Sequence, residues 1–378
     1  MNPLLIVAAG TLLAGTLIEF FTRHRRGDDS MFDCNKDLLK FHNEEVRLPD
    51  SVQSKLRDHR AANRSRLKKG LEDNEKPAVK EHIEQGSYPM YTINQHPDND
   101  YDIDDGAAFA KDDLVGAKGA EMTALDTRKM VCDAIGRDNR FNTPPEVRNN
   151  CVRVFYNEGH HVDVPVYRAC PDPDNDGETF LELASSVGWR RSDPRSITTW
   201  FNNAVIDKSP DTTNGRQMRR VVRLLKAFAK SRDSWNMPSG FILSVLVHDH
   251  YQVHETRDDV ALYNTMRSIH ATLESDLTVS HPLLDELLTN GSDDPCMREL
   301  RDRLDTALDE LQILFDEENC TSKAALKAWN KLFYHGFFID LIAERADEGL
   351  AASTLGCGLS AVDEPSEVVH KGGDGRFG

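Results

Sequence analysis

Two short segments carry most of the information about the fold: Asp102-Ile103-Asp104-Asp105-Gly106 and His161-Val162-Asp163-Val164-Pro165-Val166. Successive side chains of a β-strand point to opposite faces, so Asp102 and Asp104 share one face and Asp105 points to the other. Asp163 lies inside an apolar run, which indicates a neighbouring buried strand. A carboxylate in that position is costly unless it is paired or bound to a metal. The two stretches therefore predict a small sheet on which three carboxylates converge.

Three convergent carboxylates indicate a site for divalent cations. Magnesium prefers hard oxygen ligands, and manganese accepts the same ligand types. Two ions held by Asp102, Asp104 and Asp163 suit an in-line attack on an α-phosphate, because one ion activates the attacking hydroxyl and the other holds the triphosphate. We therefore predict a site for two Mg²⁺ ions, with Mn²⁺ as the alternative metal.

A second candidate element is Gly86-Ser87, which precedes the acidic stretch. A small residue at the start of a helix exposes backbone N–H groups and a hydroxyl to phosphate oxygens. We expect Gly86 and Ser87 to begin a helix and to contact the β- and γ-phosphates of a nucleotide.

The overall charge limits the class of ligand. The chain has 378 residues and a formal net charge of -17. A protein that binds long nucleic acid needs clustered Lys and Arg to displace counterions, so this balance favours small nucleotides over long nucleic acid. The basic residues must then be local, and Arg219, Arg223 and Lys226 recur at the spacing of one helix face. That stripe is interpreted either as a phosphate-binding face or as a solvated one.

The cysteines indicate a reducing compartment. The chain contains seven of them without a Cys-x-x-Cys pair. The odd number and the spacing argue against a zinc site and against a disulfide framework.

The order of patterns along the chain predicts two lobes of an α+β protein. A polar stretch over 50–84 with spaced apolar residues predicts a long exposed helix that Pro77 breaks or ends. Short β-like runs at 101–103, 151–156 and 161–167 predict a small mixed sheet. Helical periodicity runs from 196 to 350, with single helices expected over 218–230, 241–250, 260–273, 297–317 and 322–348. We therefore predict a sheet lobe over 31–195, a helical lobe over 196–350 and a flexible tail over 351–378.

The first residues differ from the rest of the chain. Residues 4–21 are apolar apart from Thr, Gly and Glu19, and Arg23, His24, Arg25 and Arg26 follow at once. Positive charge after an apolar run predicts a retained transmembrane anchor over 1–30, with the body of the protein on the cytoplasmic side of an inner membrane. The alternative is that translation starts at Met31, which would make the protein cytoplasmic.

Several separated motifs together resemble the cGAS/DncV-like nucleotidyltransferase family, and within it the DncV-like bacterial cyclic GMP-AMP synthases of anti-phage systems. The motifs occur in the family's order over about residues 32–345. They are Gln85-Gly86-Ser87, Asp102 to Gly106, His161 to Tyr167, Ser192-Asp193-Pro194, Trp200-Phe201-Asn202, Arg219 to Phe228 and Pro238-Ser239-Gly240.

The resemblance implies a polymerase-β-like nucleotidyltransferase lobe that faces a helical lobe, with nucleotides in the cleft between them. It implies that Asp102, Asp104 and Asp163 are the metal ligands and that Gln85 and Ser87 contact the donor triphosphate. Lys226 corresponds to a phosphate-binding lysine. Four further residues correspond to positions around the bases or the cleft: Arg153, Ser192, Asp193 and Ser239. Vibrio-type relatives are longer than this chain, so their regulatory small-molecule site is not assumed for it.

The function implied is a cyclic oligonucleotide synthase, which joins ATP and/or GTP into a cyclic di- or trinucleotide that activates a downstream effector in anti-phage signalling. The alternative within the same chemistry is a template-free RNA or tRNA-end nucleotidyltransferase. A third hypothesis is a binding module without turnover, which the three retained acidic residues disfavour.

The C-terminus adds one further expectation. The chain ends in a glycine-rich stretch that closes with Gly378. A terminal glycine carboxylate is unhindered, and a glycine-rich tail can extend into a narrow enzyme cleft. Since synthases of the resembling family are joined to other molecules through such a glycine, we expect Gly378 to be conjugated by a ubiquitin-transfer-like partner. The alternative is a disordered end without a role.

Overall fold

The computed structural model describes residues 30–96, 101–116, 119–138, 142–173 and 177–356, with side chains described as far as residue 347. The predicted anchor, apart from Ser30, lies outside the described residues, as does Gly378. Within the described ranges, none of the helices combines the length and the apolar character needed to span a membrane.

The first lobe is built on an eight-stranded mixed sheet. Its strands are β1 (Glu81–Gln85), β2 (Asp102–Ala110), β3 (Glu146–Val147), β4 (Val152–Phe155), β5 (His161–Val164), β6 (Val166–Pro171), β7 (Thr179–Ser185) and β8 (Gly188–Ser192). Strand β2 is central, because it pairs antiparallel with β1 and parallel with both β5 and β6. Pro165 separates β5 from β6, and its carbonyl oxygen accepts a hydrogen bond from the Ala107 N–H at 2.8 Å. The sheet therefore continues from β2 in two directions, through β5 to β4 and through β6 to β7 and β8.

Two helices pack on one face of this sheet, α2 (Asp50–Asp73) and α3 (Ala124–Gly136). Their apolar stripes form a core with the inward residues of β2, β4 and β5. The two helices approach so closely that a β-carbon at Gly70 would come within 1.9 Å of the Ala134 carbonyl oxygen. Helix α2 ends at Asp73, before Pro77, and β1 begins at Glu81, so the helix expected over 50–84 is shorter than predicted.

The second lobe is helical. After α1 (Asn35–Phe41) and a π-helical turn (His42–Val46), its helices are α4 (Pro194–Lys208), α5 (Gln217–Ala229), α6 (Gly240–His250), α7 (Asp258–Leu273), α8 (Pro295–Glu310), α9 (Ser322–Phe333) and α10 (Gly336–Gly356). Helix α1 belongs to this lobe by contact, because Phe41 packs against Phe333, Phe337 and Phe338 with ring centroids 4.7 to 5.5 Å apart.

Two details of the helical lobe differ from the prediction. The single helix expected over 322–348 is broken, because Tyr334 has a φ of 49° and closes α9 in the left-handed conformation. Helix α10 then continues to Gly356, into the stretch predicted as a tail. The fold class itself is confirmed as an α+β protein in which a mixed sheet faces a helical lobe.

Candidate active site

A row of four polar side chains crosses the sheet in register. Gln85 on β1 pairs with Asp104 on β2, Asp104 pairs with Asp163 on β5, and Asp163 pairs with Arg153 on β4. Residues that are directly opposite on neighbouring strands project from the same face. The strand pairing alone therefore brings together four of the predicted site residues, which are far apart in the sequence.

The acidic residues form a compact cluster on this face. The ligating atoms of Asp102, His161 and Asp163 lie within 4.8 Å of one another. Burial raises the pKa of Asp104 well above its ordinary value, the charges of Asp102 and Asp163 raise it further, and Arg153 opposes them. Carboxylates that repel one another in this way, with hard oxygen donors, fit a divalent cation.

His161 is a member of the cluster that the sequence analysis did not single out. It pairs in register with Asp102, and its Nε2 lies 4.0 Å from Asp163 Oδ1. The segment from His161 to Val166 already indicated this position, because His161 and Asp163 are two residues apart on one strand and therefore share a face.

Arg153 holds Asp163 by two hydrogen bonds. Its Nε donates to Oδ1 at 2.8 Å and its Nη2 donates to Oδ2 at 2.7 Å. Asp163 is only 5% exposed, so the bidentate guanidinium supplies the compensation that a buried carboxylate needs. Arg153 is thus part of the carboxylate cluster, where the resemblance implied a position near a base or the cleft.

The segment after β1 is a run of turns and not the expected helix start. Residues 86–91 are turns, with hydrogen bonds from the Thr92 N–H to the Ser87 carbonyl and from the Tyr91 N–H to the Tyr88 carbonyl. Gly86 has a φ of 72°, a conformation that favours glycine. The turn places Gly86 and Ser87 directly beside Asp104.

Lys226 on α5 faces the acidic cluster from the helical lobe. Its Nζ donates to Thr92 Oγ1 at 2.9 Å. Burial, followed by the charges of Lys230 and Arg223, lowers the pKa of Lys226 to about 7, although Asp102 opposes this change. A buried cation that lies across a cleft from carboxylates is placed to bind an anion.

The rest of the predicted basic stripe does not face this cleft. Arg219 donates to the Met90 carbonyl at 2.9 Å and its guanidinium lies 5.3 Å from the Tyr91 ring centroid, so it holds the turn against α5. Arg223 is buried, with Nη1 3.3 Å from His42 Nε2. Of the three stripe residues, only Lys226 lines the cavities described next.

The cleft between the lobes contains two adjoining cavities. One has a volume of about 570 Å³ and the other about 400 Å³. Both are lined by Ser87, Asp102 and Lys226. The larger cavity extends toward Trp235 and Ser239, and the smaller one extends toward Tyr167, Ser192 and Asp193. Two compartments of this size around one cluster can each hold a nucleotide-sized ligand.

Ser239 and Asp193 both cap helices at the cavity walls. Ser239 Oγ accepts from the Ile242 N–H at the start of α6, and Asp193 Oδ1 accepts from the Ser196 N–H at the start of α4. Gln85 is fixed differently, since the Tyr167 hydroxyl donates to its Oε1 at 2.7 Å. The amide nitrogen of Gln85 is therefore the end that can donate to a ligand.

His281 is a cavity residue that the sequence patterns did not reveal. It lines the smaller cavity beside Phe241, with ring centroids 5.8 Å apart. Its Nδ1 accepts hydrogen bonds from the Leu283 and Leu284 N–H groups at 3.2 and 3.0 Å. The proton of the neutral ring is therefore on Nε2, which makes this nitrogen a donor. Burial lowers the pKa of His281, although Glu286 opposes that change, so the neutral form is favoured.

Behind the cluster, Asp105 faces away from the cleft, as the strand alternation predicted. Arg64 on α2 donates to both of its carboxylate oxygens, with Nε 2.8 Å from Oδ2. Asp105 is 2% exposed. This buried pair connects α2 to the strand that carries Asp102 and Asp104.

The mixed sheet, the facing helical lobe and the acidic cluster beside a glycine-serine turn are the arrangement that the resemblance to nucleotidyltransferases implied. Residues 80–167 match the family model described as "Cyclic GMP-AMP synthase DncV-like, nucleotidyltransferase domain". Residues 80–167 are thus similar to the nucleotidyltransferase domain of DncV-like synthases, as the motifs predicted.

Two curated relatives carry the same description. The chain is 30% identical to a cyclic GMP-AMP synthase of Escherichia albertii over 207 residues, which cover 53% of this chain and 43% of that protein. It is 24% identical to the cyclic GMP-AMP synthase of Vibrio cholerae over 303 residues, which cover 66% of each. The chain thus spans less than half the length of the first relative.

Solved structures show the same fold at low sequence identity. Vibrio cholerae DncV, in a complex with the linear intermediate 5' pppA(3',5')pG, has a TM-score of 0.62 at 17% identity, covering 80% of this chain and 96% of that one. Bradyrhizobium diazoefficiens CdnG, in complex with GTP, has a TM-score of 0.63 at 13% identity, covering 82% and 98%.

Proposed function

We propose that this protein is a cyclic oligonucleotide synthase that joins ATP and/or GTP into a cyclic di- or trinucleotide. The observation that carries the proposal is the pair of adjoining cavities that share Ser87, Asp102 and Lys226. A synthase of this kind must hold a donor and an acceptor nucleotide around one set of carboxylates, then turn the linear product and use the same set again. The relatives described as cyclic GMP-AMP synthases support this reading.

Asp102, Asp104 and Asp163 would hold two Mg²⁺ ions, or Mn²⁺. Bound there, the metal supplies activation of the attacking hydroxyl and neutralisation of the triphosphate charge. Ser87 and the turn after β1 would bind the β- and γ-phosphates, and Lys226 would balance their charge from the opposite wall. Arg153 orients Asp163 through its two hydrogen bonds. Gln85, fixed by Tyr167, would donate its amide N–H to the donor triphosphate.

Each step would be a nucleotidyl transfer, in which a phosphoanhydride bond breaks and a phosphodiester bond forms. The acceptor hydroxyl oxygen bonds to the α-phosphorus of the donor, the bond from that phosphorus to the bridging oxygen breaks, pyrophosphate leaves, and the hydroxyl proton passes to solvent. Repetition within the linear product closes the ring. The smaller cavity, which is lined by Ser192, Asp193, Phe241 and His281 among others, would hold one of the bases.

The alternative function, addition of nucleotides to RNA ends, needs a basic path for the polynucleotide. The net charge of -17 disfavours such a path, because it repels a long polyanion. Incubation with the four nucleoside triphosphates and Mg²⁺ or Mn²⁺, with and without an RNA oligonucleotide, separates the two functions by mass spectrometry. We expect a cyclic product in both mixtures and unextended RNA. Extension of the RNA without a cyclic product would replace the proposal with the alternative.

We further propose that the product activates a downstream effector in anti-phage defence and that residues 1–26 hold the enzyme at the inner membrane. The apolar first residues support the membrane anchor. The similarity of the domain to DncV-like synthases supports the role in defence. Fractionation of cells that express the full-length chain tests the anchor. Recovery only in the soluble fraction, with Met31 as the first residue, would remove it.

A further inference from the structure

A second group of metal-ligating side chains lies away from the cleft, where α2 meets the turn between β4 and β5. His59 is in the middle of α2, Glu158 is in the turn, and His160 directly precedes β5. One ligating atom from each of the three lies within 4.8 Å of the others. His59 Nδ1 and His160 Nε2 face each other at 2.6 Å.

The two imidazole rings are held in place by Tyr156. The His59 ring stacks on the Tyr156 ring with centroids 3.8 Å apart and an angle of 8° between their planes. The His160 ring is parallel to both within 11°. The Tyr156 hydroxyl is fixed in turn, because it donates toward His59 O at 3.2 Å and Asn63 Oδ1 at 3.0 Å. Stacking on Tyr156 therefore limits how the rings can turn, and a zinc ion bound to both would move the two nitrogens from 2.6 Å to about 3.3 Å apart.

The geometry restricts what can lie between the rings. Two imidazole nitrogens at 2.6 Å cannot both carry a proton, so at least one presents a lone pair to the other. A single shared hydrogen bond satisfies this contact, but it gives no role to the Glu158 carboxylate beside it. Glu158 pairs with Lys55 at 2.7 Å, and both side chains are nearly half exposed, so this ion pair is weak and exchangeable.

We propose that His59, His160 and Glu158 form a binding site for a transition-metal ion of the zinc type. Two imidazole nitrogens and one carboxylate oxygen are the donor set of tetrahedral zinc sites with an open position. The site uses no cysteine, so the cysteine spacing does not argue against it. Magnesium, which prefers all-oxygen sites and retains its water, would not compete there. This proposal does not depend on the cyclic product or on turnover.

A bound ion would add a stronger link between two elements that hydrogen bonds and the Lys55–Glu158 ion pair already connect. It would fasten α2 to the turn that leads into β5, and β5 carries Asp163 three residues after His160. The expected effect is a more stable β4–β5 turn, and hence a higher melting temperature with zinc.

The test is zinc binding to the full chain, by calorimetry in a buffer that does not coordinate metals. The acidic cluster can also take zinc, so the measurement is made in an Asp102→Asn/Asp163→Asn background. We expect one ion per chain in that background, at least about 100-fold weaker binding after His59→Gln or His160→Gln, and a smaller loss after Glu158→Gln. His335→Gln, on the helical lobe, is the matched control and should bind like the background.

If a histidine variant fails to fold, X-ray absorption spectroscopy of the zinc-loaded Asp102→Asn/Asp163→Asn protein identifies the zinc ligands directly. Two imidazole ligands per zinc support the site. The proposed zinc site would be overturned by any of three results: no stoichiometric binding, binding that His59→Gln leaves unchanged, or a spectrum with fewer than two imidazoles. The contact between His59 and His160 would then be an ordinary hydrogen bond.

Discussion

Gly86 and Asp104 lie so close together that a β-carbon on Gly86 would come within 2.1 Å of Asp104 Oδ2. The glycine also has a φ of 72°, which other L-residues rarely adopt. The turn after β1 and strand β2 are therefore in contact, and a side chain at position 86 would push against the Asp104 carboxylate.

The first prediction follows from this contact. Gly86→Ala should displace the Asp104 carboxylate and lower product formation by about 100-fold, since a misplacement of about 1 Å is enough for such a loss. Gly119→Ala is the matched control, because Gly119 has a φ of 76° and open space around the missing β-carbon. Steady-state rates and melting temperatures of the two variants are compared. Equal activity losses in both would show that backbone strain, and not contact with Asp104, causes the effect.

The second prediction concerns Lys226 and pH. Its pKa is lowered from 10.5 in the unfolded chain to about 7 in the folded protein. Between these values the unfolded chain binds one more proton than the folded chain, so the free energy of unfolding rises with pH. At about pH 7 and below, the cost of the buried charge is fully present.

Lys226→Met should remove this contribution. The stability of the nucleotide-free wild type should rise relative to the variant by a few kcal/mol between about pH 6 and about pH 10. Urea unfolding across this range measures the difference, with the exposed Lys327→Met as control. Parallel curves for wild type and Lys226→Met would show that the lysine is charged in the folded state throughout.

The third prediction tests whether His281 donates a hydrogen bond to the base of a bound nucleotide. His281→Asn keeps an acceptor for the Leu283 and Leu284 N–H groups but removes the Nε2 donor. Loss of one neutral hydrogen bond should change the preference between ATP and GTP by about fivefold, with a smaller effect on kcat. Competition between the two nucleotides measures this. An unchanged preference would place the base elsewhere in the cleft.

The fourth prediction concerns Gly378. If a ubiquitin-transfer-like partner activates its carboxylate, deletion of Gly378 should abolish conjugates in cells that express the neighbouring genes. The purified deletion variant should still form product at the wild-type rate, because the deletion leaves the carboxylate cluster and the residues that line the two cavities unchanged. If the deletion variant forms conjugates as efficiently as the wild type, Gly378 has no role in conjugation.

The sequence predicted those features of the site that depend on the pattern of residues within a single strand. Alternation placed Asp102 and Asp104 on one face and Asp105 on the other, and the apolar run around Asp163 indicated its strand. The residues that depend on pairing between strands were harder. Arg153 contacts Asp163 only because β4 and β5 are in register, and no local pattern reports that register.

Three features of the site could not be predicted from the periodicity of the sequence. The turn at 86–91 replaces the expected helix because Gly86 has a positive φ, which a glycine permits but does not require. Arg219 and Arg223 share the helical spacing of Lys226 but face other partners, since an i, i+4, i+7 stripe is wider than one cleft. His281 lies on a loop distant in sequence, where no repeat pattern exists.

The most direct test of the central claim is product formation by the Asp102→Asn/Asp104→Asn variant, measured by mass spectrometry with ATP, GTP and Mg²⁺. Loss of the carboxylates that hold the metal should remove several kcal/mol of transition-state stabilisation, which corresponds to a decrease of at least about 1,000-fold. The variant should remain folded and melt no lower than the metal-free wild type, since the mutual repulsion of the carboxylates is relieved. Near-normal synthesis of the cyclic product by this folded variant would contradict the account.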